Sequence, residues 1–202
     1  MVILMSILEV EMSAALQHPV GPHTVDEWLA LPPAEDGART ELIFGYLHVS
    51  PAASNEHQFA SLELAVLLRS AIAASGREDL FAVQAVNVKI SSAIRTGLIP
   101  DVVIVDRKQR GTSYPAHALV VAVELWSPGN TREERETKMA AYAAAGVPFM
   151  WAVFEEDDPR LVAHRLERDR YVVENVVRPG GPATVTASPI PVTVDLDDIM
   201  DW

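Results

Sequence analysis

Two carboxylates interrupt apolar, strand-like runs in the middle of the chain. The first run reads Ile99-Pro100-Asp101-Val102-Val103-Ile104-Val105, and the second reads Leu119-Val120-Val121-Ala122-Val123-Glu124-Leu125-Trp126. Taking an ionised carboxylate out of water costs several kcal/mol unless a partner or a metal compensates it. Two such groups at the ends of neighbouring strands repel each other, and a divalent cation between them turns that repulsion into coordination. The chemistry this pattern points to is a hard-cation site of the magnesium type, with manganese as a substitute.

Phosphodiester hydrolysis needs an activated water and a positive clamp for the charge that develops on the phosphoryl oxygens, and divalent metals supply both. A lysine beside them can orient or deprotonate the water. Asp101 follows a proline that fixes the entry to its strand, so its side chain can project from the sheet edge. Glu124 shares a strand face with Ala122 and Trp126, an otherwise apolar row. The backbone carbonyl of Leu125 is a further candidate ligand, because hard cations accept main-chain oxygen. Lys138 stands on the following helix, one turn after Glu134 and one turn before Tyr142. Upstream, Glu41 on a strand and His57 in the first turn of a helix can complete the site from the other side.

Each of these residues also has a plainer reading. Asp101 alone is a strand-end turn residue, Glu124 half of a buried ion pair with an arginine, and Lys138 a solvated helix-face lysine. Glu41 reads as an exposed strand carboxylate paired with Arg39, and His57 as a helix-start residue without a catalytic task. Tyr142 and Trp151 read as core or cleft-lining aromatics, and His164 as structural or surface.

The elements that must position these groups are legible from pattern. Thr24 with Glu27 makes a capping box for a short helix over 25–31, stopped by Pro32-Pro33. Strands at 40–44 and 47–50, joined at Gly45-Tyr46, form a hairpin. Ser54 or Asn55 caps a helix to about Ala74, with Phe59, Leu62, Ala65, Val66 and Leu68 at helical spacing and Gly76 ending it. Strands follow at 80–84 and 86–90, and then come the two carboxylate-bearing strands. Thr131 with Glu134 forms a second capping box for a helix to Ala145. A strand at 147–154, a hairpin of 160–166 with 171–174 turning near Arg168-Asp169, and a peripheral strand at 189–194 held by proline to a sheet edge complete the chain.

Composition bounds the function. A chain of 202 residues with 49% hydrophobic content can bury one sizeable core. The expectation is one domain over 1–202, with an N-terminal extension at 1–23, a core at 24–154 and a C-terminal hairpin and edge strand at 155–202. The absence of cysteine excludes disulfides and thiolate metal sites, leaving oxygen and imidazole donors. The N-terminal apolar run is too short to span a bilayer and is followed by Glu9 and Glu11, so no membrane association is expected. It reads as a frayed or partner-packed terminus of a cytoplasmic protein. The net charge of -12 opposes broad attraction to nucleic acid. Part of it is local, at Glu155 to Asp158 and at Asp195, Asp197, Asp198 and Asp201. A basic rim made by Arg95, Arg107, Lys108, Arg110, Arg132 and Arg135, which flank the site in sequence, is open as an expectation.

Taken in order, these segments carry a resemblance. Glu41-Leu42-Ile43-Phe44-Gly45-Tyr46-Leu47, Pro51 with Asn55-Glu56-His57, and Pro100-Asp101-Val102 precede Val123-Glu124-Leu125-Trp126-Ser127-Pro128-Gly129-Asn130-Thr131. Lys138 with Tyr142 and Gly146-Val147-Pro148-Phe149-Met150-Trp151 follow. The string resembles the Uma-two family, described as putative restriction endonucleases, whose members carry the PD-(D/E)xK nuclease fold. The resemblance implies an α+β class: a restriction-endonuclease-like mixed central sheet flanked by helices, with an N-terminal hairpin and a C-terminal β-hairpin. It implies Asp101 and Glu124 as the metal-binding acidic pair and Glu41 as an additional acidic position. In the common nuclease pattern the lysine stands two residues after the glutamate. That place is Trp126 here, and the resemblance moves the lysine to Lys138. Phe149-Met150 also departs from the family, which usually has an acidic or polar residue and then an aromatic before the tryptophan.

The leading expectation is a Mg2+-dependent endonuclease acting on nucleic acid, with Lys138 orienting the water and Mn2+ able to replace Mg2+. Two alternatives stand beside it: a catalytically silent nuclease-like module that binds a protein partner, and a hydrolase of a small phosphate ester. The apolar N-terminus and exposed sheet edges point to a homodimer, which would cover both.

Overall fold

The computed structural model describes residues 21–200 apart from 128, 156 and 157. The N-terminal apolar run, Glu156, Asp157 and Asp201 therefore lie outside the described residues. The central element is β8 (Leu119–Trp126), whose near-unbroken apolar sequence suits a strand buried on both faces. It pairs antiparallel with β6 (Val102–Val105) and parallel with β9 (Phe149–Phe154). A mixed six-stranded sheet results, extended on one side by β3 (Phe81–Gln84) and on the other by the hairpin of β10 (Arg160–Glu167) and β11 (Arg170–Val177). This is the mixed central sheet and C-terminal hairpin expected from the sequence, and Arg168 supplies the positive φ of the turn.

One face of this sheet, through Val121, Val123 and Leu125, packs on α2 (Asn55–Ser75), β13 (Val192–Val194) and α4 (Leu196–Met200). The other, through Ala122 and Trp126, packs on α3 (Arg132–Ala144) and on a second sheet. That five-stranded sheet runs in the order β2 (Tyr46–Ser50), β1 (Arg39–Ile43), β5 (Thr96–Leu98), β4 (Asn87–Ser91) and β7 (Ser113–Pro115). In the β1–β2 hairpin Ile43 faces Tyr46, leaving Phe44 and Gly45 as a two-residue turn with φ of 52° and 86°. Left-handed geometry at both positions is what a tight hairpin requires, and glycine supplies one of them. Helix α1 (Val25–Leu29) begins on the expected capping box and buries Val25 and Trp28 against Leu42.

Four expectations change. First, β3 and β4 are neighbours in sequence yet enter different sheets, with Ala85 between them at a φ of 46°. Second, the strand near the C-terminus is not peripheral. Val192 and Val194 are fully buried, and β13 pairs with β12 (Ala183–Val185), a strand the pattern did not reveal. Third, the buried stripe of α2 is Ala60, Leu64, Ala65, Leu68 and Ile72, whereas Phe59, Leu62 and Val66 lie outward. Apolar residues surround this helix, so periodicity could not choose its inner face. Fourth, the second capping box is only half made. The Thr131 side chain caps α3 at the Glu134 amide, but Glu134 Oε1 accepts from Asn130 Nδ2 at 2.9 Å.

Candidate functional site

The register of the central strands brings the two carboxylates together. Val102 faces Val123 in the antiparallel β6–β8 pair, so one step further out Asp101 stands beside Glu124. The Leu125 amide then donates to Asp101 Oδ2 at 2.9 Å. Glu124 points to the side covered by α3 and the small sheet, where the alternation of β8 puts it in a row with Ala122 and Trp126. From the small sheet β1 brings Glu41, whose Oε1 accepts the Ile99 amide at 2.7 Å.

From α3, Lys138 reaches into this space. Its Nζ lies 2.7 Å from Glu41 Oε2 and 3.4 Å from Glu124 Oε2. One turn later the Tyr142 hydroxyl donates to Glu124 Oε1 at 2.6 Å. Lys138 is 6% exposed and Glu124 2%, so the plain reading of Lys138 as a solvated helix-face lysine is overturned. Lys138 Nζ also lies 5.7 Å from the centroid of a Trp126 ring.

Asp101 is held from the opposite side. Arg39 forms an ion pair with Oδ1, and His57 Nε2 lies 2.9 Å from the same oxygen. His57 Nδ1 in turn lies 3.6 Å from Glu155 Oε1. The plain reading of Glu41 therefore fails, since Glu41 is buried and pairs with Lys138, while His57 stands in the first turn of its helix as expected and is also bound into the polar cluster. Arg39, which the sequence suggests only as a partner of Glu41, stands two residues before it and so on the same strand face, a signal that alternation carries. Glu155 had no signal in sequence, because it enters the cluster only through the parallel pairing of β8 and β9. Gln84 donates to Ser61 Oγ at 2.9 Å, and Ser61 Oγ to the Asp101 carbonyl at 3.4 Å.

A cavity of about 400 Å³ opens over Glu41, Asp101, Glu124 and Lys138, with Arg39, His57 and Asn130 also in its wall. Among the described residues, none of Arg95, Arg107, Lys108, Arg110, Arg132 or Arg135 lines it. The basic rim is not made by these side chains. Arg107 pairs with Asp106, Arg132 with Glu136, and Lys108 and Arg135 sit over the rings of Phe81 and Phe154.

The electrostatics follow from crowding. Burial raises the Glu124 carboxyl, Lys138 draws it down, and the charges of Asp101 and Glu41 raise it again, to about 8. Burial likewise opposes ionisation of Asp101, but His57, Arg39 and the Leu125 amide outweigh it and hold the carboxyl below its ordinary value. Burial would lower His57, and hydrogen bonds and charges from Asp101 and Glu155 raise it to about 9 instead. Lys138 is held above its ordinary value because Glu124 and Glu41 outweigh its burial. Three carboxylates thus share one cleft, and the protonation cost on Glu124 is a demand for more positive charge. Oxygen donors in that condition suit a hard divalent cation, which keeps much of its water and takes one or two carboxylates. As they stand, no three His, Asp or Glu groups among the described residues are gathered closely enough to enclose a metal ion.

His164 and Trp151 lie away from the cleft. His164 is buried and Nδ1 hydrogen-bonds the Met150 carbonyl at 3.1 Å, while Trp151 Nε1 donates to the Ala187 carbonyl at 2.7 Å.

No curated protein matches the sequence. Among solved structures the chain is similar to a putative nuclease belonging to DUF820 from Anabaena variabilis, with a TM-score of 0.65 at 17% identity over 90% of this chain and 99% of that one. That likeness shows the fold. A family model described as "Putative restriction endonuclease" matches residues 25–196, so the chain belongs to the Uma2 family.

Proposed function

We propose that the protein is a metal-dependent nuclease that hydrolyses phosphodiester bonds at the cleft between Asp101 and Lys138. The observation that carries this reading is the position of Lys138 Nζ, within 3.4 Å of both Glu41 and Glu124 in the cavity that Asp101 also lines. Family membership supports it, and so does the nuclease-like fold.

Asp101 and Glu124 are the residues that would hold Mg2+ or Mn2+, with the Leu125 carbonyl as a main-chain donor and Glu41 as an accessory carboxylate. When bound, such a cation supplies positive charge for a developing phosphoryl oxyanion and lowers the pKa of a coordinated water. The protein's own groups do the rest. Glu124 must give up its proton to act as a ligand, and the Tyr142 hydroxyl, by donating to Oε1, favours the ionised form and fixes the carboxylate's rotation. Lys138 keeps its proton and can donate to the attacking water or to the phosphoryl oxygen, so it acts as a charge-bearing donor. His57 and the Leu125 amide hold the Asp101 carboxylate at both oxygens, which orients it before any ligand arrives. Arg39 at the mouth offers a guanidinium suited to a phosphate.

A cleavage screen over single-stranded DNA, duplex DNA and RNA, in magnesium and in manganese, tests the activity. Calorimetric metal titration of the wild type and Glu124→Ala tests the site. Metal-dependent cleavage together with weaker metal binding in the variant is the expected result. Equal binding by both proteins would remove Glu124 from the ligand set, and cleavage confined to small phosphate esters would replace the polymer substrate.

A further inference from the structure

A second cavity, of about 300 Å³, adjoins the candidate site and shares Arg39 and Ile99 with its wall. Leu31, Pro32 and Pro33, in the turn after α1, give it an apolar side, and Asn87 at the start of β4 adds a polar edge. The Asn87 amide is fixed in orientation, since Nδ2 donates to the Thr112 carbonyl at 3.1 Å.

We propose that this cavity is a subsite for one unpaired nucleobase next to the phosphate that Arg39 engages, so that the substrate is single-stranded or locally unpaired nucleic acid. The inference rests on the nuclease reading above. Its reason is a shortage of positive charge. Affinity for a polyanion scales with the lysines and arginines that neutralise phosphates. The site's wall offers only Arg39 and Lys138 as arginine or lysine among the described residues: Lys138 is engaged by Glu41 and Glu124, the partly exposed Arg39 shares its charge with Asp101, and His57 is bound between Asp101 and Glu155. On a chain of net charge -12, so few phosphate contacts give little affinity for a polyanion, and contacts to the bases would add to it. A duplex hides the faces of its bases in the stack, whereas an unpaired base presents them to apolar walls. The cavity lies at the small end of ligand pockets, roughly 300–1,000 Å³, which suits one ring system. It shares Arg39 and Ile99 with the wall of the site, so a nucleotide with its phosphate at the guanidinium would have its base beside Pro32, Pro33 and Ile99. Asn87 can hydrogen-bond a base edge.

The test is an abasic scan. A single-stranded octanucleotide, and eight copies each lacking one base at a different position, are cleaved in magnesium by the wild-type chain and by Ala34→Leu. Ala34 is an exposed lining residue, so this substitution narrows the cavity without touching the core. If the subsite exists, one abasic position next to the cut raises KM about five- to hundredfold. Ala34→Leu then raises KM for the intact strand more than it lowers kcat, and adds little for the strand already lacking that base. If the intact strand is cleaved but every abasic strand matches it and Ala34→Leu changes nothing, the subsite is overturned and the nuclease reading stands. If no strand is cleaved in magnesium or manganese, the nuclease reading falls and takes the subsite with it.

Discussion

Lys138 meets Glu41 at 2.7 Å, although one side chain comes from helix α3 and the other from the small sheet. The contact closes the cleft between two layers of the fold, and it does so with an ion pair removed from water. Breaking such a pair by deleting one partner costs about 3–5 kcal/mol. Lys138→Met is therefore expected to lower the thermal stability of the metal-free protein, and added magnesium to restore part of it. Cleavage is expected to fall by roughly two orders of magnitude or more, the loss of a transition-state donor. Unchanged melting and unchanged turnover together would remove the lysine from both roles.

The Tyr142 hydroxyl donates to a carboxylate with almost no access to water. Tyr142→Phe leaves the ring in place but orphans a buried acceptor, a loss of about 1–3 kcal/mol. Calorimetry should then show a melting temperature lower by roughly 2–12 °C. The hydrogen bond also lowers the Glu124 pKa, so the variant should need a higher pH to bind magnesium. If its metal titration follows the wild type at every pH, Tyr142 has no part in ionising Glu124.

Gly97 lies on β5 beneath Trp28, and a Cβ at this position would overlap the indole. The contact anchors α1 to the sheet that carries Arg39 and Glu41, and Trp28 Nε1 adds a hydrogen bond to the Thr40 carbonyl at 2.6 Å. Gly97→Ala should destabilise the protein by about 1–3 kcal/mol or more in denaturant unfolding. Combining it with Trp28→Leu should cost less than the sum of the two, because they share one steric conflict. Strict additivity would show that the overlap is relieved elsewhere.

His164 responds to acid. Burial is the largest influence on its imidazole and holds it below its ordinary value of 6.5. The folded state thus favours the neutral form, and the associated stability is complete above about pH 6.5. It is lost as pH falls through the lower folded pKa, because the unfolded chain takes up the proton first. His164→Gln cannot titrate, so its melting temperature should fall less steeply than that of the wild type on acidification below pH 6.5. Parallel curves would show that other groups carry the acid sensitivity.

Much of the fold was legible because its signals are local. Thr24 with Glu27, Gly45 in its hairpin, Ser54, Gly76 and Thr131 marked the ends of elements correctly to within a residue or two. The eight residues of β8 announced themselves by composition. What was hidden depends on partners distant in the chain. The short strands β5, β7 and β12 have no pattern of their own, and β3 and β4 separate only because Ala85 turns the chain between two sheets.

The same division holds at the site. Sequence pattern alone singled out Asp101 and Glu124, since a carboxylate within an apolar strand demands compensation wherever it ends up, while Glu41 and Lys138 also fitted ordinary exposed positions. Which charge compensates which is set by the packing of the layers. Arg39 turned from Glu41 to Asp101, Lys138 took Glu41 and Glu124 together, and His57 joined Asp101 to Glu155. An ion pair forms between groups that packing brings within a few ångströms, and chain order does not say which groups, tens of residues apart, those will be.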